Sequence, residues 1–406
     1  MSAVGTHPSL EYVLVAAVAA AGSYVATPVA RAVAIRIGAV AKPRDRDVHA
    51  VAIPRMGGVA LFFGFGLAVF FAAQLPTLRS SFHVGPDLPW IVAAAGLICL
   101  IGVIDDKYEL DSLTKLAGQV VATGIMVTAG GVQLQYIYLP WGNSGTVSLS
   151  RNIAIPLTIL LTVLTINAIN FIDGLDGLAA GVVAIGAVAF FLYSYHLAQD
   201  NFAAVAGPPT VICAGIAGTC VGFLPHNFFP ARIFMGDSGS MLVGLMLSAA
   251  ATTATTNVDA QGITGPADSL PLLLPLLLTL AVLAIPFIDL VLAVVRRVGK
   301  GQSPFAPDKQ HLHHRLLELG HSHRRAVLLM YFWAALLSFG CTAFSIFDAP
   351  GVVMIVLITG VVVGVLILVV PRVARRSKPT LEPVVAGPAD QSSWTASQPG
   401  AEPGSR

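Results

Sequence analysis

Apolar runs of about twenty residues recur along nearly the whole chain, at 10–30, 56–75, 88–104, 115–130, 153–170, 177–197, 208–224, 238–254, 269–295, 326–346 and 350–371. Each is long enough to cross a hydrocarbon core of about 30 Å, so the pattern predicts an all-α polytopic membrane protein with about eleven transmembrane helices. The first run has neither a basic leader nor a small-residue cleavage site before a polar stretch, and is read as a retained span. Between the fourth and fifth spans, Val132-Gln-Leu-Gln-Tyr-Ile-Tyr-Leu alternates in its first half and runs toward Pro140 and Gly142, which predicts an external β-hairpin. The membrane domain is expected to cover 1–371. Residues 372–406 are first basic, then rich in Pro, Ala, Ser and Gly, as in a disordered tail.

Composition strengthens this reading. The chain is 55% hydrophobic and 11% charged, against about 25% charged in soluble domains, and its mean hydropathy is +0.79. Charge then sets an orientation. With the amino terminus outside, Arg31, Arg36, Lys42, Arg44, Arg46, Arg55, Lys107, Lys115, Arg232, Arg296, Arg297, Lys300, Lys309, Arg315, Arg324 and Arg325 all face inward, leaving only Arg79 and Arg151 outside. The positive-inside rule therefore puts the carboxyl terminus in the cytoplasm and the polar motifs at the cytoplasmic face of the membrane. A net charge of +2 singles out no charged partner; the bilayer is expected as one and nucleic acid is not. Cys99, Cys213, Cys220 and Cys341 sit in apolar runs without metal-ligand spacing, which argues against disulfides and redox chemistry.

Candidate chemistry is concentrated where spans end. In Asn167-Ala-Ile-Asn170-Phe-Ile-Asp173-Gly-Leu-Asp176-Gly, polar side chains recur every third residue. Each step turns a helix position back by about 60°, so Asn167, Asn170 and Asp173 fall within about 120° of one face and are expected to converge on one ligand, a helix-terminal turn capped by Asp and Asn being the plainer alternative. Gly174 and Gly177 then release the chain into a turn holding Asp176, where main-chain amides also come within reach of a bound group. The third span ends in the adjacent pair Asp105-Asp106. An Asp at mid-span costs about 2.5–3.5 kcal/mol on insertion scales, less near the interface, and two neighbouring carboxylates call for a cation between them. A solvated helix end is the plainer alternative.

Between the seventh and eighth spans, Phe234-Met-Gly236-Asp237-Ser238-Gly239-Ser240 places a carboxylate among small residues at a helix start. Free amides and the positive end of the helix dipole are expected to face phosphate there, with Asp237 offering oxygen to a hard cation; an ordinary N-cap is the bland alternative. His311-Leu-His313-His314-Arg315 follows in the last long cytoplasmic segment. Lys309 and Arg315 beside these histidines point to an anion such as a diphosphate rather than to zinc. Asp289 is a lone carboxylate in the ninth span, open to a structural or a catalytic role. After the first span, Gly57-Gly58 allows close approach of backbone to a ligand.

At these residues the chain resembles the polyprenyl-phosphate N-acetylhexosamine-1-phosphate transferases of glycosyltransferase family 4, with their MraY, TagO and WecA branches. The resemblance rests on Asp105-Asp106, the stretch from Asn167 to Ala179, Phe234 to Ser240 and the His311 to His314 box, in the family's order. It implies transfer of N-acetylglucosamine 1-phosphate from UDP-N-acetylglucosamine to a membrane polyprenyl phosphate, undecaprenyl or decaprenyl, with release of UMP and with magnesium, or manganese in its place, as cofactor. By motif, Asp237 is the principal metal ligand, with Asp105, Asp106 and Asn170 beside it. Asp105, Asp106, Asp173, His311, His313 and His314 are the implied catalytic groups, the histidines holding the diphosphate. Asn167, Asn170, Asp176, Asn227, Phe234, Lys115 and Arg315 are the implied substrate contacts, with Asp176 and Asn227 on the uridine and Phe234 stacked on the uracil. Homodimers among relatives imply a homodimer.

The MraY branch, which takes a muramyl-pentapeptide donor, has three consecutive histidines followed by an acidic residue, whereas this chain reads His-Leu-His-His-Arg. The N-acetylglucosamine donor is therefore favoured. A lipid phosphate oxygen must attack the β-phosphorus of the donor, so two anions have to be brought together, chiefly by positioning and charge neutralisation. Single displacement is expected, with double displacement through a nucleophilic Asp as the alternative. A secondary transporter would set its polar residues near mid-membrane rather than at one surface. A CDP-alcohol phosphotransferase would gather its Asp-Gly, Ala-Arg and Asp residues in one short segment, and no such segment occurs.

Overall fold

The computed structural model describes residues 8–41, 52–82, 87–138, 146–197, 203–256, 273–281, 284, 322–347 and 349–376. Helices dominate: α1 (Pro8–Ile37), α2 (Gly57–Ala72), α3 (Asp87–Tyr108), α4 (Ser112–Thr128), α5 (Arg151–Ile172), α6 (Leu178–Leu197), α7 (Ala203–Asn227), α8 (Gly236–Thr256), α9 (His323–Ile346) and α10 (Pro350–Arg376). Among the described residues six stretches are long and apolar enough to cross a membrane, in α1, α3, α5, α6, α7 and α9; α2 and Pro350–Leu366 are shorter apolar helices. The protein is thus an all-α, multi-pass membrane protein. The expected ninth span is helical at 273–281, and apart from residue 284 the rest of it, with Asp289, lies outside the described residues. α10 runs on through Arg376, while 377–406 lie outside them.

α8 is the axis of the bundle. Every residue from Ser238 to Thr255 is buried, and the helix packs against α2, α3, α5, α6 and α7. That placement explains its composition. A helix wrapped by other helices meets no lipid, so Ser, Thr, Ala and Gly serve it better than Leu, because small side chains admit close neighbours and hydroxyls bond across helices. Thr162 of α5 and Ser248 of α8 make such a bond at 2.8 Å. The outer helices show the opposite pattern, with Leu160 and Leu164 of α5 and Ile355, Val356 and Ile358 of α10 exposed in rows that suit hydrocarbon.

The two ends of the bundle differ. At one, the buried carboxylate of Glu11 accepts hydrogen bonds from the Thr77 amide and hydroxyl and the Leu78 amide, tying α1 to the 3-10 turn Leu78–Phe82. The expected hairpin belongs to this end, in a shifted form. Its strands are β3 (Tyr136–Tyr138) and β4 (Thr146–Ser148), antiparallel, whereas the alternating Val132 to Gln135 is not strand. Those residues pack onto the bundle instead. Val132 and Leu134 are buried, the Gln133 amide donates to the Val127 carbonyl at 2.9 Å, and the Leu134 amide donates to Thr158 Oγ1 at 2.9 Å. At the other end a two-residue ladder pairs β1 (Val40–Ala41) with β2 (Ile53–Pro54), bringing the chain to the start of α2.

Candidate active site

The start of α2, the ends of α3, α5 and α7 and the starts of α4 and α8 come together at that second end. The corner from α3 to α4 is short. Glu109 takes φ 51°, and Asp111 caps α4 by accepting from the Leu113 and Thr114 amides at 3.0 Å. Lys115, in the first turn of α4, is thereby turned back over the end of α3. Its Nζ lies 2.9 Å from Asp105 Oδ2 and also contacts Asp237 Oδ1 at the head of α8. Asp105 Oδ1 accepts the Leu110 amide at 2.8 Å, which fixes the carboxylate.

Asp106 faces the other way. Its oxygens accept the amides of Asp237 at 2.8 Å and Ser238 at 3.2 Å, so a carboxylate on α3 caps α8. This overturns the expectation that these amides are open to phosphate: Asp106 already meets the positive end of α8. Gly236 makes the approach possible. It holds φ 70° and a Cβ there would fall 2.5 Å from Asp106 Oδ1. Gly58 is used in a similar way. Its backbone lies against α8 rather than a ligand, with its amide on the Met235 carbonyl at 3.2 Å, and an added Cβ would sit 2.2 Å from the Ser238 carbonyl carbon.

The Asn-Asn-Asp face of α5 divides its duties. Asn170 donates through Nδ2 to Asp237 Oδ1 and to Ser240 Oγ, and so joins the carboxylate cluster. Asn167, one turn deeper, does not join it. Its Nδ2 donates to Gln119 Oε1 at 2.7 Å and to the Val163 carbonyl at 2.8 Å, locking α5 to α4. Gln119 escaped the sequence reading although an amide inside an apolar span was the available signal. Asp173, immediately after α5, is half-buried and lies near Asp237 and Asp106. Burial, then those two carboxylates, hold its carboxyl well above the usual range, and the Gly236 amide and Arg55 oppose them only in part.

Asp176 and Asn227 form a latch between two loops. Asp176 Oδ2 accepts the Ala231 amide at 2.9 Å, Asn227 Oδ1 accepts the Gly177 amide at 3.1 Å, and Asn227 Nδ2 donates to the Ile233 carbonyl at 3.0 Å. Both side chains are almost fully buried. The geometry makes them holders of backbone, and the Gly177 amide of this turn is taken as well. Tyr331 of α9 completes this clamp by donating its hydroxyl to the Gly177 carbonyl. No sequence signal marked it, since a lone Tyr in an apolar span reads as packing. Phe234 is half-buried on the same loop, strung between the Pro54 carbonyl and the Gly57 amide. His311, His313, His314 and Arg315 lie outside the described residues.

Among the described residues, no group of three or more His, Cys, Asp or Glu side chains is placed to hold a metal ion. The hard oxygens of Asp105 and Asp237 sharing one ammonium do fit a magnesium-type site, because that ion is usually held by one or two carboxylates and completed by substrate phosphates and water.

Comparison with known proteins finds relatives over most of the chain. The profile of glycosyl transferase family 4 matches residues 88–255. The chain is 49% identical to a decaprenyl-phosphate N-acetylglucosaminephosphotransferase of Mycolicibacterium smegmatis, over 93% of this chain and 92% of that protein. The protein of the same name from Mycobacterium tuberculosis is 48% identical over 91% of each chain. An undecaprenyl-phosphate alpha-N-acetylglucosaminyl 1-phosphate transferase of Yersinia pestis is 31% identical over 76% of this chain and 78% of its own.

Proposed function

The chain belongs to glycosyl transferase family 4, and on that premise we propose that it transfers N-acetylglucosamine 1-phosphate from UDP-N-acetylglucosamine to a membrane polyprenyl phosphate, releasing UMP. The observation that carries the proposal is the meeting of Asp105, Lys115, Asn170 and Asp237, from four different helices, at one end of the bundle. Lipid phosphate and nucleotide diphosphate both arrive as anions, and the reaction needs a point where their charge is neutralised and their oxygens aligned.

Asp237 and Asp105 are the proposed magnesium ligands, with Asn170 beside them. When bound there, magnesium neutralises the diphosphate and polarises the β-phosphoryl oxygens. Asp106 contributes by fixing the start of α8 and hence the aim of Asp237. Asp105 orients the lipid phosphate or accepts its proton, so that an oxygen attacks the β-phosphorus while its bond to the bridging oxygen breaks and UMP departs. His311, His313, His314, Arg315 and Lys115 supply positive charge to the diphosphate, and Phe234 stacks on the uracil. Asp176 and Asn227 support the uridine site by shaping its walls. The face bearing this cluster is proposed to be cytoplasmic, and the working unit a homodimer.

The test is incubation of purified protein with polyprenyl phosphate, magnesium and radiolabelled UDP-N-acetylglucosamine, beside UDP-N-acetylmuramyl pentapeptide. Label is expected in lipid from the first donor alone, and Asp237→Asn is expected to lower the rate by about 10²–10³-fold. Transfer from the pentapeptide donor alone, or no lipid product from folded wild-type protein, would overturn the reading.

A further inference from the structure

The two carboxylates proposed to bind magnesium already hold a cation. Lys115 reaches from α4 to the gap between α3 and α8, with Nζ 2.9 Å from Asp105 Oδ2 and in contact with Asp237 Oδ1. Asp106, next to Asp105 in the chain, is turned onto the amides of α8 and leaves that gap to Asp105 and Asp237. An ammonium and a divalent ion both need these oxygens, and they repel each other.

Building on the proposed reaction, we propose that Lys115 is an internal counter-ion that occupies the magnesium position in the free enzyme and is exchanged for the metal on loading. Lysine suits the task. Its charge is a single point on a flexible four-carbon stem, so it swings clear while remaining close, whereas the planar fork of arginine is made to grip a carboxylate. Without it, Asp105 and Asp237 would face each other uncompensated at a partly buried site, and α3 and α8 would be driven apart. With it, the empty cluster is held in the arrangement that the metal later uses.

The exchange also couples metal and anion. While clamped between two carboxylates the ammonium is neutralised and offers little to phosphate. Once displaced, it stands beside the metal and faces the incoming diphosphate. By linkage, whatever favours the displaced lysine favours metal, and the reverse holds equally. The metal complex of the nucleotide is then the species the site accepts first, and the lipid phosphate meets a positive centre rather than a self-paired one.

Metal binding can be read without the reaction. Full-length protein in detergent, with no nucleotide or lipid phosphate, is titrated with manganese alone while the free ion is followed by electron paramagnetic resonance, and Asp237→Asn defines the background. Lys115→Met and Lys115→Gln are expected to lower the manganese Kd by about tenfold or more, since each removes a like charge from the ligand oxygens. Lys115→Arg, which keeps the charge, is expected to bind no more tightly than wild type. The uncharged variants should at the same time transfer more slowly, a combination of tighter metal and slower turnover that a merely structural lysine does not produce. Manganese affinity unchanged or weakened in the uncharged variants, with thermal melting showing them folded, would overturn the proposal, as would absence of specific binding in every variant. Wild-type transfer assayed in parallel separates the two ideas: activity with unchanged affinity refutes the exchange alone, and no activity refutes the enzyme reading.

Discussion

Asp105 and Asp106 are neighbours in sequence with opposite tasks, and the difference comes from what each oxygen touches. Asp105 faces Lys115 and the cluster; Asp106 is spent on the amides that start α8. Replacing Asp106 by Ala leaves those amides unsatisfied and is expected to cost about 0.5–2 kcal/mol, the usual range for a lost N-cap, together with most of the transfer activity. Asp106→Asn keeps one acceptor and should fall between; thermal melting and the transfer assay check both. Asp173 gives a pH prediction. Its carboxyl is raised in the folded protein above the ordinary value of 3.8, so the native state binds its proton more tightly than the unfolded chain does. The stability it contributes is complete below that ordinary value and is lost as pH rises through the folded one. Metal-free wild type should therefore melt higher at pH 5 than at pH 8, and Asp173→Asn should reduce the difference. The residue types were legible from spacing alone. Which oxygen serves a ligand and which a backbone amide was not, because Asp106, Asp176 and Asn227 bond to partners between 6 and about 130 residues away.

At the level of elements, the head of α8 is fixed by backbone contact. Gly58 of α2 and Gly102 of α3 both lie against Ser238, and an added Cβ at Gly102 would come 2.3 Å from the Ser238 Cα. Gly102→Ala is expected to force α3 and α8 apart at an overpacking cost of about 1–3 kcal/mol and to lower activity by misaligning Asp106 with Asp237; a lower melting temperature alongside reduced transfer is the result to look for. The clamp on the loop after α5 is subtler. Tyr331→Phe removes one hydrogen bond to Gly177, worth about 1 kcal/mol net, so melting should change little. Turnover is expected to fall several-fold, because the loop carrying Asp173 and Asp176 loses its tie to α9. The helical spans were readable from apolar length. The swap of strand and packed segment around Gln133 and Tyr136 was not, since alternation reports burial on one side and says nothing of whether a ladder or a bundle provides it.

For the whole molecule, the two ends of the bundle make a topological prediction. Ser148 lies on the hairpin at one end, and Leu113, 75% exposed, stands beside the carboxylate cluster at the other. In intact cells a membrane-impermeant maleimide is expected to label Ser148→Cys from outside and to reach Leu113→Cys only after permeabilisation. Cys99, Cys213 and Cys220 are buried, and the half-buried Cys341 is changed to Ser so that background stays low. Labelling in the opposite sense would place the site outside and contradict the orientation drawn from positive charge.

Length and spacing of the apolar runs determined the all-α, multi-pass architecture, since a bilayer demands helices of a set length whatever they pack against. Charge at the span ends determined where the polar side chains gather, because carboxylates and amides are costly in hydrocarbon and collect where a partner compensates them. Tertiary structure alone decided how those groups divide the work. Asn167 turned to Gln119 and Asn170 to Asp237; Asp106 became a cap, Asp176 and Asn227 a latch, and Lys115 the cation between two carboxylates. Each of these outcomes depends on which helix ends meet, and helices packed through small residues carry that information in their shape rather than in any local pattern.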